Sequence, residues 1–198
     1  MRELWNQRYS ERDFVYGKEP NQFFKEQIEK IIPGKILLLG EGDGRNGVFA
    51  AKLGWEVDAF DFSETAKEKA LRFAQSENVK INYEVSDLQT AEINENYYDA
   101  VGIIYVHLSE EVREYIHSKA LKSLKKDSIL ILEAYEKDQI KNSSGGPKDL
   151  DLLYSLEDIY TDFQDLEIQK FTKENISLNE GPLHTGPASI IRFVGKKE

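Results

Sequence analysis

The segment ILLLGEGDGRNG, residues 36–47, constrains the fold more than any other part of the chain. Four apolar residues, Ile36 to Leu39, run directly into glycines at 40, 42 and 44, and a helical pattern begins soon after. A short run that is apolar on both faces reads as a strand buried inside a parallel sheet. Glycines at its end permit positive φ and let a ligand approach the backbone with no Cβ in the way. The helix beyond them offers unpaired amide donors at its start.

The rest of the chain repeats this alternation of short apolar runs and longer helical periods, which predicts a doubly wound α/β fold. Strands are expected at Lys35–Leu39, Glu56–Phe60, Lys80–Glu84, Tyr98–Tyr105 and Ser128–Glu133. A helix over Asn46–Leu53 should stop at Gly54, a left-handed C′ residue. Ser63 is placed to cap a second helix carrying Ala66, Ala70, Phe73 and Ala74 on one face. Val112, Ile116, Ala120 and Leu124 mark a third. Ahead of the first strand lies a helix with Trp5 and Tyr9, a Gly17–Pro20 turn, and a helix through Phe23, Phe24, Ile28 and Ile32. At the other end, Leu166–Phe171 and Ala188–Val194 resemble two antiparallel strands joined by a loop over Asn175–Pro187. We therefore expect one domain over 1–198, with a helical arm (1–34) and a core (35–198).

Composition narrows the partners. The net charge of −10 argues against a nucleic-acid backbone, whose binding is driven by phosphate neutralisation. Cysteine is absent, which removes disulfides, thiolate nucleophiles and Cys-ligated metal. The longest apolar runs are too short to cross a bilayer, and the first residues lack the apolar stretch of a signal peptide. A cytoplasmic protein, monomeric or weakly dimeric, acting on a small molecule is the expectation.

Two nucleotides compete for the glycine loop. Gly42 to Gly47 satisfies the dinucleotide pattern G-x-G-x-x-G, which points to an NAD-dependent oxidoreductase. However, Glu41 and Asp43 would repel a pyrophosphate, and no Tyr-x-x-x-Lys pair is evident for hydride transfer. S-adenosylmethionine has no phosphate and carries a sulfonium and an ammonium, so the acidic loop suits it better. Asp61, about 20 residues beyond the glycines at the next strand end, is placed to accept from ribose hydroxyls. Asp87 and Leu88, after the third strand, are candidates for the adenine.

These residues resemble the class I S-adenosylmethionine-dependent methyltransferases, especially the small tellurite-resistance and thiopurine methyltransferase-like proteins. The resemblance runs through Trp5, Tyr9, Tyr16-Gly17 and Glu19-Pro20, then Leu39 to Asn46, Asp61-Phe62-Ser63, Ser86-Asp87-Leu88, and Glu180-Gly181-Pro182 with His184 and Gly186. It implies a seven-stranded, mostly parallel Rossmann-like sheet with a C-terminal antiparallel hairpin. It also implies that Gly40, Glu41, Gly42, Gly44 and Asn46 form the methionine side of a cofactor site. Asp61, Phe62 and Ser63 would hold the ribose, Asp87 and Leu88 the adenine, and Tyr105 would lie near the sulfonium, with Trp5 and Tyr9 closing the pocket. Many members carry an acidic residue where this chain has Leu38, and we expect Glu41 to take over that polar role.

Methyl transfer from a sulfonium is an in-line displacement that needs mainly alignment. A hydroxyl or amine acceptor would also need a base. His107, after the fourth strand, and His184, in the C-terminal connection, are the candidates, with Tyr105 as a strand-end contact. Tyr16 and Tyr135 are further candidates to line the pocket. His117, on a charged helix, reads as a surface residue, and three dispersed histidines predict no metal. A regulator that binds the cofactor without chemistry is the remaining alternative.

Overall fold

In the computed structural model, which describes residues 2–11, 14 and 16–198, strand β1 (Lys35–Leu39) is central. Ile36 and Leu38 pack into one core while Leu37 and Leu39 pack into another on the opposite face. That two-sided burial is why the strand is continuously apolar. It pairs in parallel with β2 (Glu56–Asp61) and β4 (Tyr98–Ile104). Outside these lie β3 (Asn82–Val85) and β5 (Leu124–Tyr135), also parallel. The sheet ends in β6 (Glu167–Gly181) and β7 (His184–Lys196), with β7 antiparallel to both β5 and β6. The order β3-β2-β1-β4-β5-β7-β6 is the seven-stranded, mostly parallel sheet with a C-terminal antiparallel hairpin that the sequence predicts. The strand order reverses between β1 and β4, the position at which open parallel sheets commonly bind ligands.

Helices cover both faces. α2 (Gln22–Ile28), α3 (Arg45–Lys52) and α4 (Glu64–Ser76) flank the Ile36–Leu38 side, and α5 (Glu110–Ser123) and α6 (Leu156–Phe163) the other. α1 (Arg2–Glu11) lies on α4. The caps follow from the sequence: Asn21 accepts from the Phe24 N–H, Ser63 from the Ala66 N–H, and Gly54 closes α3 with φ 96°.

Four expectations need correction. Asn175–Pro187 is not a loop: β6 and β7 run as one long hairpin, with only Pro182 and Leu183 in the turn. This extension projects past the end of β5, so its glycines and Pro187 sit in a two-stranded ribbon where only one neighbour must be paired. Ile32 is 89% exposed, because α2 stops at Ile28 and Pro33 biases the preceding residue away from helix. Leu124 begins β5 rather than ending the third helix.

The fourth correction is His117, which is 1% exposed. It is covered by α6, a helix that the sequence marked with a Ser155–Asp158 capping box and that was not anticipated. Its Nδ1–H donates to Asp162 Oδ2 at 2.6 Å, and its ring stacks on Phe163. Arg113 Nε donates to the same oxygen at 2.8 Å. Burial opposes the Asp162 charge, but the hydrogen bonds from His117 and Arg113 outweigh it and hold the carboxyl below its usual range. Asp162→Ala leaves buried Arg113 with weaker partners, and we expect a loss of about 3–5 kcal/mol in urea unfolding.

Candidate active site

The crevice at the β1 end is shaped by glycine. Gly40, Gly42 and Gly44 all have positive φ, at 62°, 67° and 92°. A Cβ on Gly42 would lie 2.4 Å from the Tyr9 hydroxyl, and one on Gly44 would lie 2.7 Å from the Ala70 Cβ. No other residue fits either position without moving the arm or α4. The loop is pinned from below: Gly42 N–H donates to Asp61 Oδ2 at 3.0 Å, and its carbonyl accepts from the Tyr83 hydroxyl at 2.6 Å. Asp61 Oδ1 takes the Ser63 N–H at 2.9 Å, so each Asp61 oxygen has one amide donor.

The two loop carboxylates behave differently. Glu41 turns inward and accepts from the Gly47 N–H at 2.7 Å, in the first turn of α3. Burial pushes its carboxyl up to about 8 against the pull of that bond. Asp43 is buried too, is raised to about 6 by desolvation, and keeps Oδ2 without a hydrogen-bond partner among the described residues. An orphaned, buried carboxylate oxygen in this loop suits a cationic ligand group.

The remaining expected residues divide into two sets. Trp5 and Tyr9 stack with centroids 5.9 Å apart above the loop, and Leu88 is buried beside Phe60 and Val106. Asp87 is half-buried in the turn after β3, its Oδ1 taking the Gln89 N–H. Three more have protein partners of their own. Ser63 donates to Asn6 and caps α4, Asn46 Oδ1 accepts from the Asn21 N–H, and Phe62 lies under Arg2.

On the β4 side the aromatic residues converge. Tyr105 has φ 55°, a strained value for a tyrosine and a mark of a functional position. Its ring stacks on Tyr135 at 4.6 Å and meets His184 edge-on at 4.7 Å, while Tyr16 lies 4.6 Å from His184. The structure thus gathers Tyr16, Tyr105, Tyr135 and His184. His184 Nδ1 faces Glu180 at 3.4 Å, and burial holds its pKa below the usual value. His107 is adjacent but committed at both nitrogens: Nδ1–H donates to the Leu152 carbonyl at 2.8 Å, and Nε2 accepts from the Tyr135 N–H at 3.2 Å. Burial lowers it to about 4.

The model of the tellurite resistance protein TehB family matches residues 15–185, most of the chain. The chain belongs to the TehB family. A curated relative, the probable S-adenosyl-L-methionine-dependent methyltransferase TehB of Haemophilus influenzae strain 10810, is 33% identical over 82 residues, 41% of this chain and 29% of its own length. The chain thus matches less than a third of that relative. The crystal structure of TehB from Haemophilus influenzae superposes with a TM-score of 0.76 at 19% identity, covering 90% of this chain and 63% of that one. Magnesium protoporphyrin IX methyltransferase of Synechocystis PCC 6803, solved with bound SAH, gives 0.73 at 16% identity, covering 100% and 98%. These neighbours place the fold among the Rossmann-like methyltransferases.

Within this member of the family, sequence reasoning missed the polar network behind the site. Glu133, 1% exposed, accepts from Asn21 Nδ2 at 2.6 Å and Arg192 Nε at 2.7 Å. Asn21 also donates to Glu180 Oε1 at 3.0 Å, and Arg45 donates to Glu180 Oε2 and the Tyr16 carbonyl, each at 3.0 Å. The available signal was a charged residue, Glu133, at the end of an otherwise apolar strand.

The Glu41 shift carries a sign that can be tested. The folded state holds its proton up to about pH 8 and the unfolded chain releases it near 4.5, so stability falls as pH rises through that window. We expect Glu41→Gln to flatten the decline above pH 6, leaving the Asp43 contribution below it, in thermal melts at stepped pH.

Proposed function

We propose that this chain transfers the methyl group of S-adenosylmethionine to a small-molecule acceptor, giving S-adenosylhomocysteine. It acts as one domain, with the arm (1–34) closing on the core (35–198). The observation that carries this reading is the left-handed glycine loop beneath Tyr9, backed by buried Asp61 19 residues on.

The residues present fit the cofactor. Asp43 offers an unpaired oxygen to the cationic methionine end, beside Gly40, Gly42 and Gly44. Asp61 retains a lone pair on each oxygen for ribose hydroxyls, and Asp87 and Leu88 bracket the adenine. Glu41, Asn46, Phe62 and Ser63 support the loop from behind, and Trp5 and Tyr9 cover it.

When bound, S-adenosylmethionine supplies the methyl group on an already activated sulfonium. The chain's part is to align the acceptor and exclude water, a contribution of roughly 7–11 kcal/mol when geometry is good. Tyr105 lines the transfer point. His184, kept neutral by burial and with Nδ1 turned to Glu180, takes a proton at Nε2 from an acceptor that must lose one. His107, committed at both nitrogens, acts by bracing the end of β5.

A dinucleotide reading survives only on the Gly42–Gly47 spacing. Glu41 already occupies the Gly47 N–H, the donor that a pyrophosphate would use at the start of α3. We place the protein in the cytoplasm as a monomer or weak homodimer, without nucleic-acid or membrane partners. The net charge of −10 supports the nucleic-acid point, and no helix among the described residues is long and apolar enough to cross a membrane.

Calorimetric titration with S-adenosylmethionine, S-adenosylhomocysteine and NAD tests the cofactor: saturable binding of the first two is expected, and binding of NAD alone would overturn the reading. Asp61→Ala should weaken S-adenosylmethionine at least about tenfold, the scale of one lost charge-assisted hydrogen bond, while circular dichroism stays unchanged. Methyl transfer to any acceptor in a panel excludes a regulator without chemistry.

A further inference from the structure

Arg8 links the two halves of the site. It lies on α1, the helix that carries Trp5 and Tyr9 over the glycine loop. Its guanidinium sits over the Trp5 ring at 4.8 Å and donates from Nη1 to the Tyr16 hydroxyl at 3.3 Å. Tyr16 in turn lies 4.6 Å from His184. Arg8 is half-buried, and among the described residues no carboxylate forms an ion pair with it. A flat cation with a fixed fork of donors can hold an aromatic face and a hydroxyl at once.

The two ends of this link are fastened to different parts of the chain. Tyr16 is tied to the core: its carbonyl accepts from Arg45 at 3.0 Å, and Gly17 is pressed so close to the Glu180 carbonyl that a Cβ would overlap it. α1 ends at Glu11, ahead of that anchor, and rests on α4, where Asn6 Oδ1 accepts from the Ser63 hydroxyl. Asp43 and Asp61, which act on the Tyr9 phenol, are only 2% and 8% exposed. Admitting a ligand to them displaces Tyr9, and α1 with it. That movement parts Arg8 from Tyr16 and leaves Tyr16 behind with His184.

We propose that Arg8 is a positioning residue: by holding the Tyr16 hydroxyl from α1, it completes the His184 side of the site only when α1 is closed over the cofactor. The inference rests on the methyltransferase reading above and extends it to how the cofactor and acceptor sides communicate. Burial holds the His184 imidazole below its usual range; Glu180 on β6 opposes this, and Arg45 on α3 and Arg8 on α1 reinforce it. Glu180 and Arg45 pair with each other at 3.0 Å and stay with the core. Tyr16, Tyr105 and Tyr135 are raised by burial and face His184 as neutral phenols, and His107, lowered by burial to about 4, is neutral as well. Arg8 is thus the charge at His184 that travels with α1. Closure brings it in, disfavours the imidazolium and leaves Nε2 able to take a proton.

The test is a proton NMR pH titration of the histidine Cε1–H signals of the full chain, free and saturated with S-adenosylhomocysteine, which holds α1 closed. The chain has three histidines, and His184→Gln identifies the His184 signal by its loss. In wild type, S-adenosylhomocysteine should lower the His184 midpoint by about half a pH unit, the scale of one charge brought several ångströms nearer in a largely polar setting. Arg8→Met keeps a straight side chain over Trp5 without charge or donors. It should bind S-adenosylhomocysteine within about tenfold of wild type, the scale of one cation–π contact. It should show none of that fall, while the His107 and His117 signals stay in place. Arg8→Lys, which restores a cation and a donor, should restore the fall; Arg8→Gln, which keeps a donor but no charge, should not, and serves if Arg8→Met fails to fold. An equal fall in wild type and in the uncharged variants would overturn the proposal, as would no fall in wild type. Failure of wild type to bind S-adenosylhomocysteine would sink the methyltransferase reading and this inference with it. Normal binding with an equal fall in all proteins would sink this inference alone.

Discussion

Glu133 is the point on which the site depends. An ionised carboxylate buried at the end of a central strand costs several kcal/mol unless it is fully paired. Here both oxygens are satisfied, one by Asn21 and the other by Arg192. Through Asn21 and Glu180 the network reaches Arg45 at the start of α3 and the backbone of Tyr16. Four parts of the chain far apart in sequence are therefore held in register: the arm, the glycine turn, the β5 end and the long hairpin. Each bond alone contributes modestly, but removing a member strands a buried charge, so the network specifies one arrangement of the site's walls.

That arrangement explains a division of labour among residues that look alike in the sequence. Glu41 and Asp43 are two positions apart, yet one caps a helix while the other keeps an oxygen with no hydrogen-bond partner among the described residues. His107 follows the end of β4 and His184 opens β7, but His107 is bound at both nitrogens and serves the backbone. His184 lies among Tyr16, Tyr105 and Tyr135 with Nδ1 facing Glu180. Local sequence cannot separate such pairs, since their difference is made by what packs against them.

The legible parts of the fold were those with local physical signals. The apolar β1 run, the glycine turn, the Ser63 cap and the Gly54 stop are each decided within a few residues, and all stand where they were expected. The positions of residues at strand ends were legible for the same reason, because topology carries every parallel strand end to one edge. What escaped was set by distant contacts. Asn175–Pro187 carries loop-like residues but gains a strand partner from its own hairpin, and His117 is buried only because α6 lies over it. The Glu133 network links residues 21, 45, 133, 180 and 192, a relation no window of the sequence contains.

The central claim is that the glycine turn and Asp61 form a cradle for an adenosyl cofactor, closed by Tyr9. A crystal structure of the protein with S-adenosylhomocysteine tests it most directly. The account predicts the ribose hydroxyls within hydrogen-bond distance of Asp61, the amino-acid end over Gly40–Gly44 beside Asp43, and the Tyr9 ring covering both. A ligand bound elsewhere, with Asp61 holding only Gly42 and Ser63, would contradict it.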